Sequence, residues 1–350
     1  MSFGLPGALP SPRTPDPFTA PTLRWGVMGT GWIADRFVRA VKESTGQVIA
    51  AVSSRSIERS RSFADHHEIV RAYGSYEELV EDPAIDVVYV ALNHNAHHAG
   101  AMLALKAGKH VVIEKPLALN AQEATEIAEV AAARGLFCVE ALWTFFLPKL
   151  DIVRRLLEDD VLGEVRTVIA DNGEYFRPDH RIFRADLAGG PLLDLGTYPV
   201  SLATWVLGEI ASVKASGQAH PAGVNGQAGA LLTDRFGNQG VVHTTLLSNT
   251  PTAAVLCGTR GTLTMQGPFY HPGALALSHP DGSGGIFFDE ERIAHGALFW
   301  EAAEAARCIG AGLLESPLRP LADSISMLRV MDEMRRQCGI AFAGEDFEQA

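Results

Sequence analysis

The chain has 350 residues, 47% hydrophobic and 20% charged, and its 41 acidic against 29 basic side chains leave a formal net charge of -12. That length exceeds one ordinary domain and suits two, while the acidic balance, with no basic stripe, excludes nucleic acid and anionic membrane as partners but still allows an anionic cofactor held by a few local groups. Cys138, Cys257, Cys308 and Cys338 are scattered, no apolar run reaches the about 18–20 residues of a membrane span, and the N-terminus has no basic-then-apolar leader, so the expectation is a cytoplasmic protein with neither a structural metal nor a disulfide framework.

Residues 1–22 hold six of the nineteen prolines and show no helical or strand period, and they read as a disordered or extended arm. From residue 23 the grammar changes. β-rich runs at 23–28, 48–53, 86–91, 110–114 and 136–140 alternate with helical periods at 33–41, 57–66, 76–81, 98–107 and 121–133. Asn120 is placed to cap the last of these, with Glu123 three residues on. Such alternation predicts repeated βαβ units, hence an α/β dinucleotide-binding domain over 23–146 with a mostly parallel sheet.

The first strand runs into Gly29-Thr30-Gly31-Trp32-Ile33-Ala34, a G-x-G-x-x-A pattern between strand and helix. The first glycine permits the turn, the second lets a pyrophosphate approach the backbone, and the alanine lets the helix sit close, with its free N–H groups facing the phosphates. The second strand ends in Ser53-Ser54-Arg55, where an NAD site would carry an acidic residue for the ribose 2′-hydroxyl. Two hydroxyls and a guanidinium there, with Arg59 and Arg61 following, favour NADP over NAD. The fourth of the runs ends in Glu114-Lys115-Pro116. Ligands of open α/β sheets bind beyond such strand ends, so Lys115 is a candidate for polarising a substrate oxygen, and equally a candidate for a capping or salt-bridged lysine.

Past residue 146 one helix at 150–158 precedes longer β segments at 165–172, 212–218, 229–236, 240–247, 255–258 and 262–266, with a hairpin turn at 236–240 and helical stretches at 297–309 and 322–337. This predicts an α+β domain over 147–350 with a large, open, mostly antiparallel sheet. Its run Gly189-Gly190-Pro191-Leu192-Leu193-Asp194-Leu195-Gly196-Thr197-Tyr198 puts Asp194 and Tyr198 four apart. On one helix they would share a face and could present a carboxylate and a phenol to one substrate; a capping aspartate and a core tyrosine are the alternative.

Glycine turn, E-K-P and the D-x-G-x-Y segment, in this order, resemble the Gfo/Idh/MocA oxidoreductases over about residues 23–339. The run Glu140-Ala141-Leu142-Trp143-Thr144-Phe145-Phe146-Leu147-Pro148 is similar to the E-A-x-W-x-R-F-x-P of the branch holding dimeric dihydrodiol dehydrogenases and NADP-dependent D-xylose dehydrogenases. The resemblance implies a Rossmann domain and hydride transfer between NADP and a hydroxyl or carbonyl of a sugar, polyol or trans-dihydrodiol. It implies Tyr198 as acid/base, Lys115 in support and Asp194 on a substrate hydroxyl. Asn93-His94-Asn95-Ala96-His97 resembles the family's T-P-N-x-x-H loop, which puts Asn93 and His97, with Glu114, among the cofactor contacts. Phe145 replaces the branch's arginine, which predicts loss of a charged anchor and a more apolar pocket. A homodimer or homotetramer formed through the C-terminal sheet is expected. A non-catalytic NADP-binding sensor or regulatory protein is the competing class, and a hydrolase is disfavoured because no G-x-S-x-G elbow is present.

Overall fold

A computed structural model describes residues 5–342, which divide into two compact units. Of the described residues, the N-terminal unit takes 14–147 and 293–325; the sheet unit takes 5–13, 148–292 and 326–342. The sequence reading had assigned 147–350 to one domain. The segment at 293–325 groups instead with the strand–helix repeats, because its helix buries Ala302, Ala303, Ala305 and Ala306 there.

The N-terminal unit carries strands β1 (Arg24–Met28), β2 (Val48–Ser53), β3 (Arg71–Tyr73), β4 (Val87–Val90), β5 (His110–Glu114) and β6 (Cys138–Ala141). Between them lie helices α1 (Trp32–Ser44), α2 (Ile57–His67), α3 (Tyr76–Glu81), α4 (His97–Lys106) and α5 (Ala121–Arg134). The sheet order is β3-β2-β1-β4-β5-β6 and every pairing is parallel. β3 escaped the sequence reading because three half-buried residues carry too short a period to register. Strands β4 to β6 are buried along their length apart from His110, as expected for a sheet covered on both faces. Local caps fix the helix starts: Ser56, Ser75 and Asn120 each accept the N–H three residues on, the last from Glu123 at 2.9 Å. The connection from β1 crosses to β2 on one side, whereas β4 pairs β1 on the other. The order therefore reverses at β1 and β4, the place where open α/β sheets bind ligands.

The sheet unit starts with α6 (Pro148–Glu158) and β7 (Val165–Gly173), then the short α7 (Pro191–Asp194) and α8 (Thr197–Leu207). Strands β8 (Ile210–Ala219), β9 (Asn225–Asp234), β10 (Gln239–Thr245), β11 (Ala254–Gly258), β12 (Thr262–Met265), β13 (Leu275–Ser278) and β14 (Ile286–Phe288) complete an eight-stranded sheet. Its order is β14-β13-β12-β11-β7-β10-β9-β8, antiparallel except for the central β7–β10 pair. Helix α8 covers β7 and β10 on one face. On the other, Ile169 stands between Val241 and Val255 in register, and Ile169 and Val241 remain exposed. Helix α9 (Phe299–Gly310) returns to the N-terminal unit, and α10 (Leu321–Cys338) begins there, the division falling after Ile325. No described helix is long and apolar enough to cross a membrane.

Of the proline-rich N-terminal residues, 14–22 lie along α9: Arg307 donates to the carbonyls of Pro15 and Asp16 at 3.0 Å each, and Ala20 packs on Ala303 and Ala306. Within the sheet unit Arg13 pairs with Asp151 at 2.7 Å and Glu158 at 2.8 Å.

A buried ion pair organises the end of β6. Glu140 and Arg319 are both 0% exposed and pair at 2.8 Å. Glu140 also accepts the Ser324 hydroxyl at 2.7 Å and, through its other oxygen, the Leu117 N–H at 2.9 Å. The Arg319 guanidinium lies over the Phe145 ring, 4.7 Å from its centroid. Residues 141–147 are buried throughout, so Phe145 is a packing surface for a cation and not the wall of an open pocket. Removing one partner of a buried charge pair strands the other. Arg319→Leu is therefore expected to destabilise the fold by about 3–5 kcal/mol, read as a lower urea midpoint at unchanged m-value.

Candidate active site

The turn between β1 and α1 is closed on one side and open on the other. Gly29 has φ +116°, donates to Ser53 O at 2.8 Å, and a Cβ there would lie 2.3 Å from the Ala91 carbonyl oxygen. Only glycine fits so close to the end of β4. Gly31 is the N-cap residue of α1, contributes no side-chain cap, and a Cβ on it would meet nothing within 4 Å. The first-turn N–H groups at Trp32 and Ile33 thus follow a residue beside which the space is clear, with the helix dipole behind them. That arrangement fits a dinucleotide's phosphates.

At the end of β2 the two hydroxyls and the arginine separate. Ser54 is buried and its Oγ is consumed locally, donating to Ser56 O at 2.8 Å and accepting from Ser60 Oγ at 3.0 Å. Arg55 is exposed and forms no ion pair with any described residue. The guanidinium is thus the group left available to an anion, while Ser54 shapes the turn that presents it. Nearby, Asp35, His66 and His67 gather ligand atoms within 4.8 Å, but Arg39 already brings its own positive charge to that cluster, 3.2 Å from Asp35 and 3.0 Å from His66.

The strand end at β5 is built on carboxyls. Glu114 is buried, accepts the Tyr89 hydroxyl on one oxygen and the Lys115 N–H at 3.1 Å on the other. Tyr89 is clamped by Phe37 of α1, stacked with centroids 3.7 Å apart. The Lys115–Pro116 peptide is cis. His97 is fully buried with Nδ1 2.8 Å from Pro116 O and Nε2 3.1 Å from Leu92 O. Its ring thus ties the loop after β4 to the residue after Lys115. Asn93 precedes the 3-10 turn His94–Ala96 in that loop and is half-buried.

The returning segment adds residues that the sequence reading did not single out. His295 stacks on Trp143 at 5.4 Å and meets Trp32 edge-on at 4.7 Å, with the Arg36 guanidinium over Trp32, 5.6 Å from the ring centroid. Burial, then the charges of Lys115 and Arg36, push the His295 imidazole down to about 4, so it is neutral near pH 7. Trp32 of the glycine turn and Trp143 of the E-A-x-W run therefore meet at one neutral ring inside a single unit, and the charge of Lys115 acts on it. Glu301, in the first turn of α9, is fully buried; burial and then the charge of Glu114 hold its carboxyl well above the usual range. Both residues lie some 180 positions after Lys115 with no motif around them, and nothing in the sequence signals their return.

In the sheet unit the expected single helix through Asp194 and Tyr198 is broken. Asp194 ends α7, Tyr198 is the second residue of α8, and Leu195–Gly196 form the corner between them. A Cβ at Gly196 would lie 2.4 Å from Leu192 O, so the tight corner needs glycine. Asn225 clamps the preceding turn, its Oδ1 accepting the Leu192 N–H at 3.3 Å beside Gly190, which has φ +107°. Asp194 pairs with Arg181 at 2.9 Å, an arginine that no motif marked. Tyr198 stacks on Tyr270 with centroids 4.0 Å apart. The next residue, His271, accepts from the buried Lys149 through its carbonyl, and burial lowers the Lys149 ammonium to about 8.

Comparison with known proteins matches two family profiles. One, described as the Gfo/Idh/MocA oxidoreductase family with an NAD-binding Rossmann fold, covers residues 23–141; the other, the Gfo/Idh/MocA C-terminal domain, covers 151–264. The chain is 33% identical over 326 residues to a trans-1,2-dihydrobenzene-1,2-diol dehydrogenase of Xenopus tropicalis, spanning 91% of this chain and 99% of the relative. A 3-ketoreductase of Actinomadura kijaniata, solved in complex with NADP and TDP-benzene, superposes with a TM-score of 0.78 at 26% identity, covering 91% of this chain and 98% of that one. A levoglucosan dehydrogenase complexed with NADH and levoglucosan gives a TM-score of 0.83 at 18% identity, with 91% and 98% covered, a likeness of fold alone.

Proposed function

The chain belongs to the Gfo/Idh/MocA oxidoreductase family, and on that premise we propose that it is an NADP-dependent dehydrogenase acting on a CH–OH group of a sugar, polyol or trans-dihydrodiol. The observation that carries the reading is the open glycine turn, whose Trp32 contacts the His295 ring, together with the strand end where Glu114 holds Lys115, whose charge acts on that ring. A nicotinamide bound at that turn supplies the hydride acceptor or donor. The chain's own residues bind, orient and handle the proton. The turn Gly29–Ile33 would receive the pyrophosphate on backbone N–H groups. The loop 93–97 and Glu114 would border the nicotinamide half, with His97 holding the loop in place. Tyr198 would exchange the proton of a substrate hydroxyl, and Lys115 would stabilise negative charge on a substrate oxygen. Asp194, already facing a guanidinium, accepts a second substrate hydroxyl. Names carried by relatives, a dihydrodiol dehydrogenase and a 3-ketoreductase, support chemistry at a hydroxyl or carbonyl carbon.

The cofactor preference rests on Arg55, which is exposed, unpaired among the described residues and unopposed by an acid at the end of β2. Relatives complexed with NADP and with NADH both exist, so the residue and not the fold decides.

Two kinetic outcomes follow. Lys115→Met and Tyr198→Phe are each expected to lower kcat by about 10²-fold or more while NADP affinity changes little, measured with trans-dihydrodiol and xylose as substrates; near wild-type turnover in both variants contradicts the assignment. Arg55→Ala is expected to lower kcat/KM for NADP by about ten- to hundredfold and to leave the value for NAD nearly unchanged. A wild type that prefers NAD contradicts the cofactor reading.

A further inference from the structure

Lys149 is 0% exposed at the start of α6, and its ammonium donates to a backbone carbonyl, His271 O. No carboxylate pairs with it among the described residues. Its acceptor belongs to the hairpin loop 266–274 between β12 and β13, closed by the Gln266 N–H on Ala274 O at 3.1 Å. The loop is also tied from outside. The Phe269 N–H donates to Thr252 O at 2.8 Å and the Gly273 N–H to Glu290 at 3.3 Å, and Lys149 holds the carbonyl between them. Tyr270 stands in the middle of the loop. Its ring is edge-on to Phe269 at 5.8 Å and to His271 at 4.5 Å, and it lies nearly flat on Tyr198 at 4.0 Å, with 16° between the planes. All of these residues belong to the sheet unit.

We infer that Lys149 is a positioning residue for Tyr198: by holding the His271 carbonyl it fixes the Tyr270 ring against which the Tyr198 phenol is set. Burying an ammonium against a neutral acceptor costs more than burying an apolar side chain of the same length. What the charge supplies in return is definition, since a shift of the loop would strand it. Tyr198 leaves α8 in the first turn, beside the Leu195–Gly196 corner, and turns about two side-chain torsions. A nearly flat stack restricts both. The chain of contacts runs from the ammonium to the 271 carbonyl, to the neighbouring ring and to the phenol. The effect on turnover rests on the catalytic reading of Tyr198; the link from Lys149 to its ring does not.

The full chain, isotope-labelled at its tyrosines, tests the link by NMR, and kcat tests its consequence. Lys149→Met keeps the apolar stem and removes the donor, Lys149→Gln keeps a donor, and Tyr270→Leu removes the stacked ring. The Tyr198 ring signal, identified by its loss in Tyr198→Phe, is expected to move in Tyr270→Leu and in Lys149→Met and to hold its place in Lys149→Gln. Turnover is expected to fall about tenfold in Lys149→Met and in Tyr270→Leu at unchanged NADP affinity, and to stay within about threefold in Lys149→Gln. The double variant Lys149→Met with Tyr270→Leu loses about as much as Tyr270→Leu alone, because both act through one ring; independent effects would multiply to about a hundredfold. An unmoved Tyr198 signal in Lys149→Met overturns the inference. With Tyr198→Phe impaired, wild-type kcat in Lys149→Met or multiplied losses in the double variant overturn it as well. If Lys149→Met does not fold, the other two decide: an unmoved signal in Tyr270→Leu, or a tenfold loss in Lys149→Gln, overturns it. A moved signal beside full turnover in Tyr198→Phe removes Tyr198 from the chemistry and leaves the Lys149 link standing.

Discussion

A carboxylate that cannot reach water governs this structure. Glu140 at the end of β6 is completely buried, and it survives there because Arg319, Ser324 and the Leu117 N–H all point at it. Those donors come from a segment some 180 residues downstream and from the loop directly after Lys115–Pro116. Satisfying one charge thus fastens the returning segment 293–325 to the N-terminal unit and pins the loop that leaves the candidate catalytic lysine. The same logic recurs one strand away. Glu114 at the end of β5 is held by Tyr89 and by the Lys115 N–H. Buried charges of this kind add little net stability and a great deal of positional definition, since each alternative packing would strand one of them. Strand ends of a parallel sheet are where such definition is useful, because ligands bind beyond them.

Electrostatics then sorts the unit by task. At the glycine turn no side chain intrudes and the helix dipole offers positive potential, a surface for phosphates. At the end of β2 no acid stands, and Arg55, exposed and without an ion pair among the described residues, is available to an anion. Near Lys115 the setting becomes aromatic and neutral: His295 is forced to stay uncharged by burial and by the two cations beside it, and it is sandwiched against Trp143 and Trp32. The overall charge of -12 is thus compatible with an anionic cofactor, because the positive groups are few and local.

Much of this was legible in the sequence, and the reasons are physical. The βαβ alternation, the glycine turn with its φ-demanding Gly29, the Asn120 cap and the hairpin at 236–240 are local signals, set within a few residues of themselves, and the structure has them where periodicity put them. The mixed sheet of the second unit followed from long alternating runs, although β13 and β14 were too short and too interrupted to register. What escaped depends on distance along the chain or on one atom of clearance. The i, i+4 spacing of Asp194 and Tyr198 suggested one helix; Gly196 makes a corner instead. Phe145 looked like a lost anchor; it lies under Arg319, a partner 174 positions away that no local pattern announces. Ser54 is read with Arg55 as part of the cofactor site; in the fold its hydroxyl also bonds Ser56 and Ser60, which no pattern announces. His295, Glu301 and Arg181 carry no motif at all, and only the folded chain brings them to the residues they serve.

Hydride transfer between a carbinol carbon and a nicotinamide is tested in one step by a trans-dihydrodiol or sugar carrying deuterium on the carbinol carbon, incubated with the purified protein and NADP. The deuterium is expected on the nicotinamide ring of the reduced cofactor by mass spectrometry, with a primary isotope effect when chemistry limits turnover. Deuterium recovered only in solvent, or no reduced cofactor with any substrate in the panel, would contradict it.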